Sequence, residues 1–270
     1  MKLATTTWFS GPSDLQAALK LTKASGYEAV AVAATPSNLI SSTDEITRSL
    51  RDLSLRVSCL SAGVPFFHDP SSLNLHSRSV EVRSKTIDYV QRCVDFASKL
   101  GGEFVYVCSI AKELGQREAE ASSLLKESLE KCMLYGEKSG IRVAVEPFPT
   151  GYFPSFSQTV ELAKTLPGLG LVYDVGHEIL CGGLNPITKS NVNLILDVHL
   201  NNNDGSGDKH WSPAKGKIHH GEFANLMTNL REISYQRFVT IELAEVDRDG
   251  TELCASKKFI YSLGENNQAS

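Results

Sequence analysis

The chain has 270 residues, 41% of them hydrophobic and 21% charged, enough to bury a core as two modest domains or one α/β barrel. A formal charge of −4 argues against a nucleic-acid or acidic-membrane surface. Six cysteines without a CxxC pair suit reduced thiols, and neither "MKLATTTWF" nor any apolar run has the form of a signal peptide or a membrane span, so a cytoplasmic protein is expected.

In chain order, the first strand-length run is "LATTTWF", followed by the helical stretch "SDLQAALKLTKASG". "YEAVAVAA" and the helix "TDEITRSLRDLS" come next, then "LRVSCLSA". A long helix is predicted from Ser79 to Leu100, because Ile87, Val90, Val94, Ala97 and Leu100 recur three or four residues apart. "GG" at 101–102 supplies a left-handed terminator before the strand "EFVYVCS". A second long helix, Arg117 to Lys138, ends at "SG" and leads to the strand "IRVAVEPF". After it come "SFSQTVELAKTLPG" (helix), "LGLVYDV" (strand), "LILDVHL" (strand), "GEFANLMTNLREIS" (helix) and "FVTIELAE" (strand). The helix between "LGLVYDV" and "LILDVHL" is the weakest, because "CGGLNP" interrupts it.

Strand and helix alternate eight times in units of about thirty residues, with no linker, which predicts one (β/α)8 barrel domain over residues 1–270. A doubly wound open sheet would call for a glycine-rich phosphate loop after the first strand, and "WFSGPSD" is not one. The valine-rich runs suit strands covered on both faces.

The late strands end in ionisable groups: Glu146, Asp174 with His177, His199, and Glu242. In a barrel all carboxyl ends open on one mouth, so these side chains converge. Each lies in an apolar run, where an isolated buried carboxylate is costly and a divalent cation would remove that cost. Three carboxylates and one imidazole suit Mn²⁺, Mg²⁺ or Co²⁺, with Zn²⁺ also admitted.

The motifs "VEPF", "YDVGH", "VHLNNNDGSGDKH" and "IELAE" resemble the sugar phosphate isomerase/epimerase superfamily, the xylose isomerase-like TIM barrels that also include apurinic-site endonucleases. The resemblance spans the chain and is strongest from Val143 to Glu245. It implies Glu146, Asp174, His199 and Glu242 as ligands of a divalent metal, Mn²⁺ first, and His177, Asp208 and His210 as a substrate-binding or second-metal group. The family mechanism implies a small sugar or sugar-like substrate, no nucleic acid and no membrane. Glu146 and Glu242 would exchange a proton next to a carbonyl through an enediolate, and homo-oligomerisation is compatible with the sequence.

Trp8, Phe9, Phe66, Phe67, His68 and Phe148 lie at or beyond strand ends, where they would wall a pocket, and Lys215 and Lys217 lie in the loop where barrels often bind phosphate. The family's GxG there is replaced by Ala214 and Gly216, which leaves phosphorylation open. His219 and His220 read as surface residues. A dehydratase of the keto-cyclitol or dehydroshikimate type uses the same metal chemistry and is the nearer rival. An endonuclease would need histidines at the third and fourth strand ends, which read Ser61 or Gly63 and Cys108 or Ser109.

Overall fold

The computed structural model describes residues 1–8, 14–35, 38–39, 43–63, 73–108, 112–247 and 249–265, with backbone alone at 264 and 265. Phe9, Phe66, Phe67, His68 and Ser109 lie outside the described residues. Eight parallel strands close into a barrel: β1 Lys2–Thr6, β2 Ala29–Ala33, β3 Arg56–Ser61, β4 Phe104–Cys108, β5 Arg142–Glu146, β6 Gly170–Asp174, β7 Ile195–Leu200 and β8 Phe238–Ile241. The helices are α1 Leu15–Ala24, α2 Thr43–Asp52, α3 Val80–Leu100, α4 Glu118–Lys138, α5 Phe156–Thr165, α6 Val175–Leu180, α7 His220–Glu232 and α8 Thr251–Glu265. No helix among the described residues is long and apolar enough to cross a membrane.

Local chemistry sets several boundaries. The Ser79 hydroxyl accepts from Val82 N–H at the start of α3, and Gly101 ends the helix with φ of +73°, a conformation glycine adopts without a Cβ penalty. α6 has only six residues, because the glycine pair in "CGGLNP" adopts φ of +109° and +137° directly beyond it. A 3₁₀ turn, Val192–Leu194, then returns the chain to β7.

Alternation along the strands divides two layers. Val105, Val107, Val143, Val145, Leu171 and Tyr173 belong to the large core that includes the helix faces. Phe104, Tyr106, Cys108, Ala144, Val172 and Leu196 form a separate cluster that fills the barrel. The same alternation carries Glu146 and Asp174 into the interior. Neighbouring strands are level there: Cys108 pairs in register with Glu146, and Asp174 with His199. A register shift between Leu171 and Val172 against β7 brings that last pair into line. Glu242 lies one residue past β8.

Candidate metal centre and its chamber

Glu146, Asp174, His199 and Glu242 come together at the mouth. One oxygen or nitrogen from each lies within 4.8 Å of the others. All four are buried, Glu242 the most accessible at 4%. His199 Nδ1 is 2.7 Å from Glu146 Oε1, 2.9 Å from Glu242 Oε2 and 3.9 Å from Asp174 Oδ2. These approaches are not directional hydrogen bonds: Glu146 Oε1, Glu242 Oε2 and both His199 nitrogens are buried without a hydrogen-bond partner. Buried polar atoms left in that condition are costly. Oxygen and imidazole donors turned toward one point are the set a divalent cation takes, so the residues fit such an ion.

The carboxylates are anchored through their remaining oxygens. The Cys108 thiol donates to Glu146 Oε2 at 3.1 Å, and Trp8 Nε1–H donates to Glu242 Oε1 at 2.9 Å. Asp174 caps α6 by accepting from His177 N–H at 2.7 Å, and its other oxygen accepts from Asn201 Nδ2 at 2.6 Å. Burial pushes the Asp174 carboxyl above its ordinary range. Burial also works against charge on His199, but the Glu242 and Glu146 carboxylates outweigh it and raise the imidazole well above its usual value.

A second group adjoins the first: His177, Asp208 and His210. His177 stands in the first turn of α6 rather than at a strand end. Its Nδ1–H donates to the Pro147 carbonyl at 2.8 Å, because a carbonyl can only accept. That leaves Nε2 facing Asp208 Oδ2 at 3.3 Å, while Asp208 Oδ1 is 2.9 Å from His210 Nε2. Burial opposes the Asp208 charge, yet the two imidazoles hold its carboxyl well below the usual carboxylate range. His210 has φ of +46°, an uncommon backbone for a non-glycine residue, and its Nδ1 lies 3.5 Å from Glu242 Oε2. Burial lowers the His210 pKa, but Glu242 and Asp208 push it up to about 9.

Both groups open on a chamber of about 250 Å³ whose walls include Trp8, Tyr106, Cys108, His177 and His210. Phe148 is buried against the His177 ring, edge to face at 5.2 Å. Lys215 is outside the chamber, ion-paired with Glu252 at 3.1 Å. Lys217 lies over Gly205, where a Cβ would meet its side chain at 2.5 Å. His219 and His220 are exposed, and His219 caps α7.

Sequence reasoning assigned no role at the site to Tyr106, Cys108 or the three asparagines. Asn201, Asn202 and Asn203 are fully buried. Asn201 holds Asp174, Asn203 Nδ2 donates to the Gly176 carbonyl, and Asn202 Nδ2 donates to the carbonyls of Pro213 and Ile218. The polar run after His199 is thus a buried bracket beneath the site. The signal lay in the tract itself: three amides directly after a buried strand have to bond something.

A family model described as xylose isomerase-like TIM barrel matches residues 19–262. An uncharacterized protein of Methanocaldococcus jannaschii is 26% identical over 189 residues, 68% of this chain and 71% of that one. Among solved structures, the 3-keto-D-glucoside 4-epimerase YcjR from E. coli is similar with a TM-score of 0.80 at 16% identity, covering 97% of this chain and 99% of its own. The IOLI protein with a binding zinc atom is similar with a TM-score of 0.76 at 17% identity, covering 98% and 97%.

Proposed function

The chain belongs to the xylose isomerase-like TIM-barrel family, and from that premise we propose a divalent-metal-dependent isomerase or epimerase that moves a proton next to the carbonyl of a sugar. The observation that carries this reading is the convergence of unpartnered donors on Glu146, His199 and Glu242 in a buried centre that opens on a sugar-sized chamber. A fold shared with a sugar epimerase supports the carbohydrate class, and a zinc-bearing neighbour supports a metal.

Glu146, Asp174, His199 and Glu242 would hold the cation, with Mn²⁺ the first to test and Zn²⁺ the second. When bound, the ion would supply Lewis-acid polarisation of the substrate carbonyl. The chain's own groups handle the proton. Glu146 and Glu242 each turn one oxygen to the centre and keep the other on a chamber-wall donor, Cys108 or Trp8. One carboxylate removes the proton, leaving an enediolate, and the other returns it; the carbon and face that receive it decide between isomerisation and epimerisation. His177 and His210 stand beside them to bind substrate hydroxyls, or with Asp208 to hold a second, weaker cation.

The protein, metal-loaded in D₂O, is expected to place deuterium on the carbon beside a ketose carbonyl. Glu146→Gln and Glu242→Gln are each expected to lower that rate by about 10²–10⁴-fold, and metal analysis is expected to find Glu146→Gln depleted. Full metal occupancy in Glu146→Gln would remove that residue from the centre. A ketose panel with no exchange would sink the reading. One observation favours a second reading: His210 lines the chamber with its Nδ1 3.5 Å from Glu242 Oε2, a place from which an imidazole could protonate a departing hydroxyl. Loss of water from an inosose in the same assay would identify a dehydratase.

A further inference from the structure

The chamber does not stand alone. A larger cavity of about 770 Å³ shares Asp208, His210 and Ala244 with it, forming a vestibule between the loops that follow β7 and β8. Ligand pockets usually measure roughly 300–1,000 Å³, so the inner chamber falls short of that range and the vestibule falls within it. A substrate limited to one ring would leave the larger space to water.

Trp211 stands on the vestibule wall, 41% exposed. Its position is built. Trp211 N–H donates to the Asn202 carbonyl at 2.8 Å, and Asn202 N–H donates back to the Trp211 carbonyl at 2.9 Å. The Asn202 side chain is fully buried and also accepts from the N–H groups of Asn203 and Ile218. A hydrogen-bonded loop thus places a large, partly exposed ring on the vestibule wall. An indole offers an apolar face to the C–H face of a sugar ring and a polar N–H to its hydroxyls.

The charges around it argue against an anion. Among the described residues the lining carboxylates are Asp208, Glu245, Asp247 and Glu252, against Lys209, Lys215 and the His210 imidazole, and Lys215 is already paired with Glu252. Among these described residues a phosphate dianion would meet more carboxylates than cations. A neutral polyol would find carboxylate acceptors for its hydroxyls.

We propose that this vestibule is a subsite for a second, uncharged sugar ring, so that the substrate is a ketone-bearing sugar in glycosidic linkage rather than a sugar phosphate. The inference rests on the reaction proposed above for the chamber, while recognition of the outer ring rests on Trp211 and its neighbours. Fructose, its 4-O-glucosyl disaccharide maltulose, and fructose 6-phosphate make the probe set. The protein has two tryptophans, Trp8 and Trp211, so fluorescence reports binding without turnover.

Maltulose is expected to quench emission with about tenfold higher affinity than fructose, with the extra quenching lost in Trp211→Phe. Fructose 6-phosphate is expected to show no gain over fructose. In deuterium exchange the kcat/KM ratio of maltulose to fructose is expected to be about ten, falling to about one in Trp211→Ala. Tightest binding by fructose 6-phosphate, or maltulose quenching that still exceeds that of fructose in Trp211→Phe, would overturn the subsite. If maltulose quenches through Trp211 but no sugar exchanges deuterium, the subsite stands and the chamber's reaction falls. If fructose exchanges and maltulose gains nothing, the reaction stands and the subsite falls.

Discussion

At His199 the two ring nitrogens meet different surroundings: Nδ1 faces Glu146 and Glu242, whereas Nε2 is 3.9 Å from Asp197 Oδ2. The carboxylates raise the imidazole well above its usual value despite burial, which favours a proton on the ring of the metal-free protein. A cation needs the neutral ring and must displace that proton. Metal affinity is therefore expected to rise with pH and binding to release protons, read by calorimetry in buffers of different ionisation enthalpy. Stability of the metal-free protein runs the other way. The raised group contributes fully below the ordinary imidazole pKa and loses that contribution as pH rises through the raised value. Asn201 is the residue-scale partner of Asp174. Asn201→Ala removes the 2.6 Å donor and is expected to cost about 10–100-fold in metal affinity by titration, with α6 still formed.

Between elements, the tightest fit is that of α6 against the chain just beyond β7. A Cβ on Gly176 would lie 1.8 Å from Asn201 Oδ1, the amide that orients Asp174. Gly176→Ala must move that amide. It is expected to lower the melting free energy by about 1–3 kcal/mol and to weaken metal binding as Asn201→Ala does. The long helices made the opposite case for legibility. The apolar spacing of α3, its Ser79 cap and its Gly101 terminator are local features, and the predicted bounds of 79–100 and 117–138 match Val80–Leu100 and Glu118–Lys138 closely. α6 was hard to read because six residues carry too little periodicity, and because the groups that justify it, Asp174 as cap and Asn201 as neighbour, act through contacts between β6 and β7.

For the molecule as a whole, the barrel brings four strand ends to one point, so a cation bound there ties β5, β6, β7 and the β8 exit together. Ligand binding to the folded state alone stabilises by about 4 kcal/mol at a thousandfold excess over Kd. Saturating Mn²⁺ is expected to raise Tm by about 10 °C, and chelation to reverse the shift, as read by scanning calorimetry. The sequence by itself determined the eightfold alternation and the positions of Glu146, Asp174, His199 and Glu242, because strand period and burial are written in neighbouring residues. Only the tertiary structure decided which oxygens face His199 and which bond Trp8 and Cys108. It alone joined Asn201 to Asp174 and set Trp211 on the wall of a second cavity. Those relations join residues far apart in the chain, and closure of the barrel, not local propensity, fixes their distances.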